Sequence, residues 1–223
     1  MSVLEAQRHG PKRTYLPAEE RRAQILACAR EVFARLGYHQ ASIADVCEAA
    51  GIGRGTLYQY FDNKHEVFSA VLAELAERVR SVLARRKPLE AIAGADLAPP
   101  KLIAGFCEQR LRRLLEAVFV DEASLRLLLR EARGLDGGID AIIQSIDGVV
   151  LGAFVDDLRA AHALGILDCP SPALTAEFVL GGVEKMVLRA LEADEAVDLD
   201  AIVRVATKIQ LHGLLSESTR KRG

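Results

Sequence analysis

The sequence predicts an all-helical fold, on three observations. Apolar residues recur at intervals of three and four along most of the chain, and no segment sustains the apolar–polar alternation of a strand. The breaks between periodic stretches fall at Gly, Pro, Asn and Asp. With 223 residues, 50% of them hydrophobic, the chain is long enough for one generous packed unit or two modest ones.

Residues 1–17 read as a polar, flexible arm carrying Arg8, Lys12 and Arg13, interrupted by Pro11 and Pro17. A first helix is expected after Pro17, with Glu19 and Glu20 near its positive N-terminal end. Ile25, Ala29, Val32, Phe33 and Leu36 form its apolar stripe, and Gly37 stops it. Ser42 stands where an N-cap belongs and opens a second helix with Ile43, Val46, Cys47 and Ala50 inward; Gly51 ends it. A third helix is expected from Arg54 to Tyr60, burying Leu57 and Phe61. Asp62 or Asn63 can cap a fourth, which begins near Lys64 and runs towards Arg86 through Val67, Val71, Leu75, Val79 and Val82. Residues 87–99, rich in Pro, Gly and Ala, read as an irregular junction. Helices of roughly 100–119, 122–133, 137–163, 172–192 and 198–216 follow, separated at Gly134, Gly137–Gly138, Gly165, Pro170–Pro172 and 194–198.

Composition narrows the function. The formal charge of −2 hides an asymmetry: up to residue 87 there are 14 Lys and Arg against 10 Asp and Glu, and after it 15 against 21. A basic head on an acidic body suits a chain that meets phosphate at one end. Cys28, Cys47, Cys107 and Cys169 lie far apart without a CxxC pair, and His9, His39, His65, His162 and His212 are dispersed. That pattern offers neither a metal site nor a disulfide framework, and it suits reduced thiols. Cys28 and Cys47 fall at apolar helical positions; Cys107 and Cys169 are the two candidates for a redox-sensing thiol. No GxSxG elbow and no paired Glu-x-x-His ligands occur, so neither an enzyme nor a cofactor is expected. Residues 1–15 have no apolar signal core, and no uninterrupted apolar run approaches the roughly 20 residues of a bilayer span. A soluble, cytoplasmic protein without membrane contact is the expectation.

The second and third helices, joined by a short glycine-bearing turn, have the spacing of a helix-turn-helix. Gly51 can take the left-handed conformation such a turn demands, and Cys47 is small where the two helices cross. With Ile52 and Leu57 turned to the core, Arg54, Gly55, Thr56, Tyr58, Gln59 and Tyr60 fall nearer the outside. Arg54 and Gln59 carry the donors and acceptors that read base edges in a major groove. Thr56, Tyr58 and Tyr60 offer hydroxyls to phosphate, and Gly55 permits close backbone approach. Lys64, at the start of the next helix, is expected to hold a phosphate together with free backbone N–H groups.

In order and at the right spacing, Phe33, Gly37, Tyr38, Ser42, Gly51, Ile52, Gly55, Thr56, Leu57, Tyr58, Tyr60, Phe61 and Lys64 match a family pattern. The segment of roughly 19–70 resembles the DNA-binding domain of TetR/AcrR-type transcriptional regulators; the rest matches only in size and helical layout. It departs in Gly53, where a capping Ser is usual, and mildly in Cys47, where Ala is usual. The resemblance implies a helix-turn-helix domain over 18–65 and an effector-binding and dimerisation domain over 66–223. It implies a homodimer on a palindromic operator in double-stranded DNA, released by a small-molecule effector. It assigns Ser42, Thr56, Tyr58, Tyr60 and Lys64 to phosphates and Arg54 and Gln59 to bases. It also makes the last two helices the dimer seam, through Phe178, Val179, Gly182, Val183, Met186, Val187, Ala190 and Leu191 on one and Val203, Ala206, Ile209, Leu211 and Leu214 on the other. Arg8, Lys12 and Arg13 are minor-groove candidates, although a solvated arm is the favoured reading of that segment.

For a hydrophobic or amphipathic effector the candidate lining is Phe106, Leu111, Phe119, Leu128, Ile142, Ile146, Phe154 and Phe178. Arg110, Glu131, Arg133 and His162 are its candidate polar anchors. Repression is the expected sign, since a dimer that overlaps a promoter blocks polymerase without further contacts. Two other readings stand beside this one: a helical adaptor using its head to bind protein, and a small helical enzyme. The Arg54, Tyr58, Gln59, Tyr60 and Lys64 surface opposes the first, and the absence of catalytic motifs opposes the second.

Overall fold

Helix boundaries follow the capping chemistry of the sequence. The computed structural model describes residues 16–86, 100–118, 122–165, 167–193 and 195–212, and among these every regular element is helical. Helix α1 (Ala18–Leu36) starts behind Pro17 and buries Ile25, Leu26, Ala29, Val32 and Phe33. Gly37 ends it at φ +76° and ψ +155°, a backbone region open essentially to glycine alone. In front of α2 (Ile43–Ala50), the Ser42 hydroxyl accepts the Asp45 N–H while the Asp45 carboxylate accepts the Ser42 N–H at 2.8 Å. This reciprocal box satisfies two otherwise orphaned donors. Gly51 then adopts the left-handed conformation (φ +63°), and the Ile52 N–H reaches back to the Cys47 carbonyl at 2.9 Å, a Schellman close.

Helix α3 (Arg54–Leu57) is shorter than the expected span to Tyr60. Its last turn tightens: the Gln59 and Tyr60 N–H groups bond the Thr56 and Leu57 carbonyls three residues back. That tightening swings Phe61 into the core, where it is 2% exposed. Helix α4 (Lys64–Ala84) is capped by Asn63, whose side chain accepts the Glu66 N–H at 2.9 Å. There follow α5 (Pro100–Val118), α6 (Glu122–Arg126), α7 (Gly137–Ala163), α8 (Pro172–Glu192) and α9 (Leu199–His212). Helix α6 runs straight on into a five-residue π-helical turn, Leu127–Glu131, which the periodicity did not predict. The basic arm at 8–13, the 87–99 junction, Phe119 and Leu214 lie outside the described residues.

The anticipated border at 65/66 falls inside a single core. Ile25, Phe33, Val46, Leu57, Phe61 and Phe68 pack in one cluster with Leu127, Leu128, Ala132, Ile139, Ile143 and Ile146. The Phe33 and Phe68 rings meet edge to face at 5.0 Å. A second cluster joins α5, α7, α8 and α9 through Leu111, Leu115, Phe154, Leu158, Val183 and Val203. Helix α4 packs most extensively on α7, and the two run in the same direction. His65 Nε2 lies 2.7 Å from Asp136 at one end, and Arg86 Nη1 lies 2.8 Å from Asp157 at the other. Over its 27 residues α7 is apolar enough to suit a membrane span by length and composition, although Asp140, Gln144 and Asp147 interrupt the apolar run. Its Ile139, Ile143, Ile146, Phe154 and Leu158 are spent on protein cores instead.

Hydrogen bonds from Ser42 hold the Asp45 carboxyl below the usual carboxylate range; those from the Ile139 N–H and then His65 do the same for Asp136. A carboxyl depressed in the folded state contributes stability that is complete above its unfolded value and lost as pH falls through the folded one. The melting temperature should therefore drop on acidification below the ordinary carboxylate range, and Asp45→Asn with Asp136→Asn should flatten that drop. Gly51→Ala should cost about 1–2 kcal/mol in urea unfolding, purely from the left-handed backbone, because an added Cβ would meet nothing within 4 Å.

Candidate nucleic-acid interface

Between them, α2, the Gly51 turn and α3 set out one outward surface. Leu57 is fully buried and Phe61 nearly so, which fixes α3 on the core by one side and leaves the other to solvent. Arg54, Gly55 and Gln59 are exposed, and Tyr58 is 51% exposed. Thr56 is half-buried, and Tyr60 leans its ring on the first core while remaining partly open. A Cβ at Gly55 would meet nothing within 4 Å, so no contact inside the protein requires a glycine there. Helix α1 braces the unit from behind: the Gln24 amide donates to the Ala50 carbonyl at 3.1 Å and the Cys28 thiol to the Ala49 carbonyl at 3.5 Å.

Two expected phosphate ligands are engaged elsewhere. The Lys64 ammonium donates to the carbonyls of Tyr38 (2.8 Å), Ala41 (3.0 Å) and His39 (3.2 Å), and sits 4.5 Å from the Tyr38 ring centroid. An ammonium has three hydrogens, and all three are used. The spacing located Lys64 at a helix start but gave no sign that the α1–α2 loop folds over it. Ser42 likewise donates its hydroxyl hydrogen to Asp45 at 2.6 Å, inside the capping box.

The candidate effector residues do not gather in one place. Leu128 and Ile146 are buried in the core shared with the head, and Ile142 packs beside them. Phe178 is 74% exposed on the outer side of α8, far from any lining role. His162 is exposed, and its Nδ1 accepts the Cys169 N–H at 3.2 Å, clasping the loop after α7. Glu131 accepts a backbone N–H from the head, and Arg133 pairs with Asp147 and Glu184 on the surface. Leu111 and Phe154 share the second core, and Phe106 lies beside Arg110. Phe106 stands 5.8 Å from the Arg110 guanidinium, and Arg110 pairs with Asp157, one turn beyond Phe154. Arg86 joins the same carboxylate from the end of α4, a pairing across 71 residues that no local pattern marks.

Several seam residues also turn inward. Val179, Val183, Val187, Leu191, Val203 and Ala206 are buried within the chain, while Leu174, Phe178, Met186, Val205 and Ile209 are exposed. Both helices carry apolar residues on opposite sides, which periodicity alone did not separate. Three of the thiols are quiet: burial raises Cys28, Cys47 and Cys107 above the ordinary range, so they stay protonated and weakly nucleophilic at neutral pH. Among the described residues no group of three metal-ligating side chains occurs.

This geometry defines a helix-turn-helix protein. Residues 25–71 match the family described as "Bacterial regulatory proteins, tetR family". The amino-terminal head of the chain is thus similar to the tetR family of bacterial regulatory proteins. Among curated relatives, the HTH-type transcriptional activator FasR of Mycolicibacterium smegmatis is 41% identical over 75 residues, 30% of this chain and 34% of that protein. The HTH-type transcriptional regulator UidR of Escherichia coli is 35% identical over 88 residues, 39% of this chain and 43% of that protein. The matches thus span between a third and under half of these relatives' length. The fold likeness is wider. The fatty acid degradation regulator FadR of Bacillus halodurans superposes with a TM-score of 0.66 at 22% identity, over 87% of this chain and 96% of that one. The Bacillus subtilis transcriptional regulator FadR in complex with stearoyl-CoA gives 0.65 at 19% identity, over 86% and 99%.

The carbonyl cage gives Lys64 a distinguishing test. Lys64→Met should lower the melting temperature yet leave the slope of log affinity against log salt unchanged. A true phosphate contact would reduce that slope by about 0.9.

Proposed function

We propose that this chain is a DNA-binding transcriptional regulator in which the exposed side of α3 enters a major groove. The outward Arg54–Tyr58–Gln59 face, held by buried Leu57, is the observation that carries the reading. Arg54 and Gln59 read base edges; Thr56, Tyr58 and the open part of Tyr60 meet phosphates, and Gly55 lets the backbone approach. Lys64 and Ser42 act one step back, shaping the loop and the α2 terminus. Two copies pair through the outer stripe of α8 and α9, Leu174, Phe178, Met186, Val205 and Ile209, and meet a palindromic site with both heads. Repression is the proposed sign; the activator FasR among the relatives makes activation the second reading.

The proposed effector is amphipathic and of the long-chain acyl-CoA class. The fold neighbour bound to stearoyl-CoA supports that class, as does the aliphatic second core. Phe106, Arg110 and Phe154 remain as its contact residues, near the α5–α7 pairing. A bacterial cytoplasmic setting suits such a regulator.

Selection of duplexes from random DNA should recover an inverted repeat. Against it, Arg54→Ala should relax preference at one base position per half-site by about 1–3 kcal/mol, whereas Tyr58→Phe should weaken all duplexes alike. Loss of neither affinity nor preference in Arg54→Ala would remove its base-reading role. In light scattering the chain should run at twice its mass and Phe178→Glu at its single mass. Palmitoyl-CoA should release the selected duplex where free CoA does not; no calorimetric binding of palmitoyl-CoA would reject the effector class.

A further inference from the structure

We propose that Glu131, carried by the π-helical turn of the body, is a positioning residue for the DNA-reading head. Its Oε2 accepts the Tyr38 N–H at 3.0 Å, a bond spanning 93 residues of sequence. The close approach is built in: a Cβ on Gly37 would lie 2.9 Å from the same oxygen, and Gly37 already needs its glycine-only backbone. Tyr38 is also the residue whose carbonyl and ring receive Lys64, which begins the helix directly after α3. The carboxylate therefore acts on the loop that cages Lys64, and through Lys64 on the mounting of α3.

A second bond comes from the same stretch of the body. Asp136 accepts the Gly138 and Ile139 N–H groups with one oxygen, capping α7, and meets His65 at 2.7 Å with the other. Six residues, 131–136, thus hold the head at two points, behind α1 and at the start of α4. The π turn makes the first point adjustable. Its closing bond runs from the Ala132 N–H to the Leu127 carbonyl at 2.9 Å, one residue longer than an α-helical bond. Redrawing that turn as α-helix would rotate Glu131 by about 100° about the helix axis and take its carboxylate off Tyr38.

The proposal rests on the reading of the α3 face as DNA-binding. A mere staple would add stability without altering discrimination, because non-specific DNA binding needs charge rather than a fixed head. The test compares wild type, Glu131→Ala and Glu131→Gln on a selected duplex and on a scrambled duplex, with amide exchange followed over residues 34–41. Glu131→Ala should lower the specific-to-scrambled affinity ratio about tenfold and raise exchange in 34–41, with scrambled affinity unchanged. Glu131→Gln, whose amide oxygen still accepts, should recover both. A folded Glu131→Ala with an unchanged ratio would overturn the proposal whatever its exchange, as would failure of Glu131→Gln to recover the ratio. Should Glu131→Ala not fold, Glu131→Asp, which withdraws the oxygen by one methylene, must lower the same ratio. If the wild type prefers no duplex, the DNA reading itself fails, and exchange over 34–41 alone decides whether the body fixes the head.

Discussion

The burial of Leu57 is the constraint on which the reading surface depends. A helix of four residues makes too few hydrogen bonds to persist alone in water, so packing and its neighbours must define it. Leu57 supplies the packing, the Gly51 turn supplies the entry, and Phe61 directs the exit. With those three fixed, Arg54, Tyr58 and Gln59 have nowhere to point but outward. Removing the Leu57 side chain would be expected to act on DNA recognition and on head stability together, since one contact serves both.

The head is fastened to the body rather than tethered. Helix α4 begins in the head's core and runs alongside α7, with acid–base pairs near both ends. The two ends differ in kind. His65 and Asp136 are 49% and 39% exposed, a setting in which solvent screens such a pair and it adds little to stability. Asp157, at 16%, is shared by Arg86 and Arg110, and losing that carboxylate would take a mostly buried counter-charge from both arginines. The far end is thus the fixed one, and the end beside the head is the one that gives. An effector acting near Phe106 and Arg110 would sit at the fixed end, beside the pairing that sets the register of α4 on α7.

Local chemistry was the legible part. Pro17, Ser42, Gly51, Asn63 and Pro172 mark helix ends that the structure reproduces within a residue or two, because caps and left-handed glycines act through their immediate neighbours. Leu57 and Phe61 were likewise readable as anchors. What the sequence left hidden depended on distant segments meeting. Lys64 looks like a phosphate ligand until the Tyr38–Ala41 loop closes over it, and Glu131 like a pocket anchor until it meets Tyr38. Phe178 illustrates a different limit: α8 has apolar residues on two sides, and periodicity cannot rank one as core and the other as surface. The π turn left no trace in Leu127–Glu131, whose residues suit an ordinary helix equally well.

Photo-crosslinking from position 59 would test the central idea most directly. A photoreactive residue replacing Gln59 should attach to bases inside a selected duplex, at matched positions in its two half-sites, while the same probe replacing Lys208 on α9 should yield no DNA adduct. Adducts from 208 with none from 59 would contradict the assignment of α3 as the element that enters the groove.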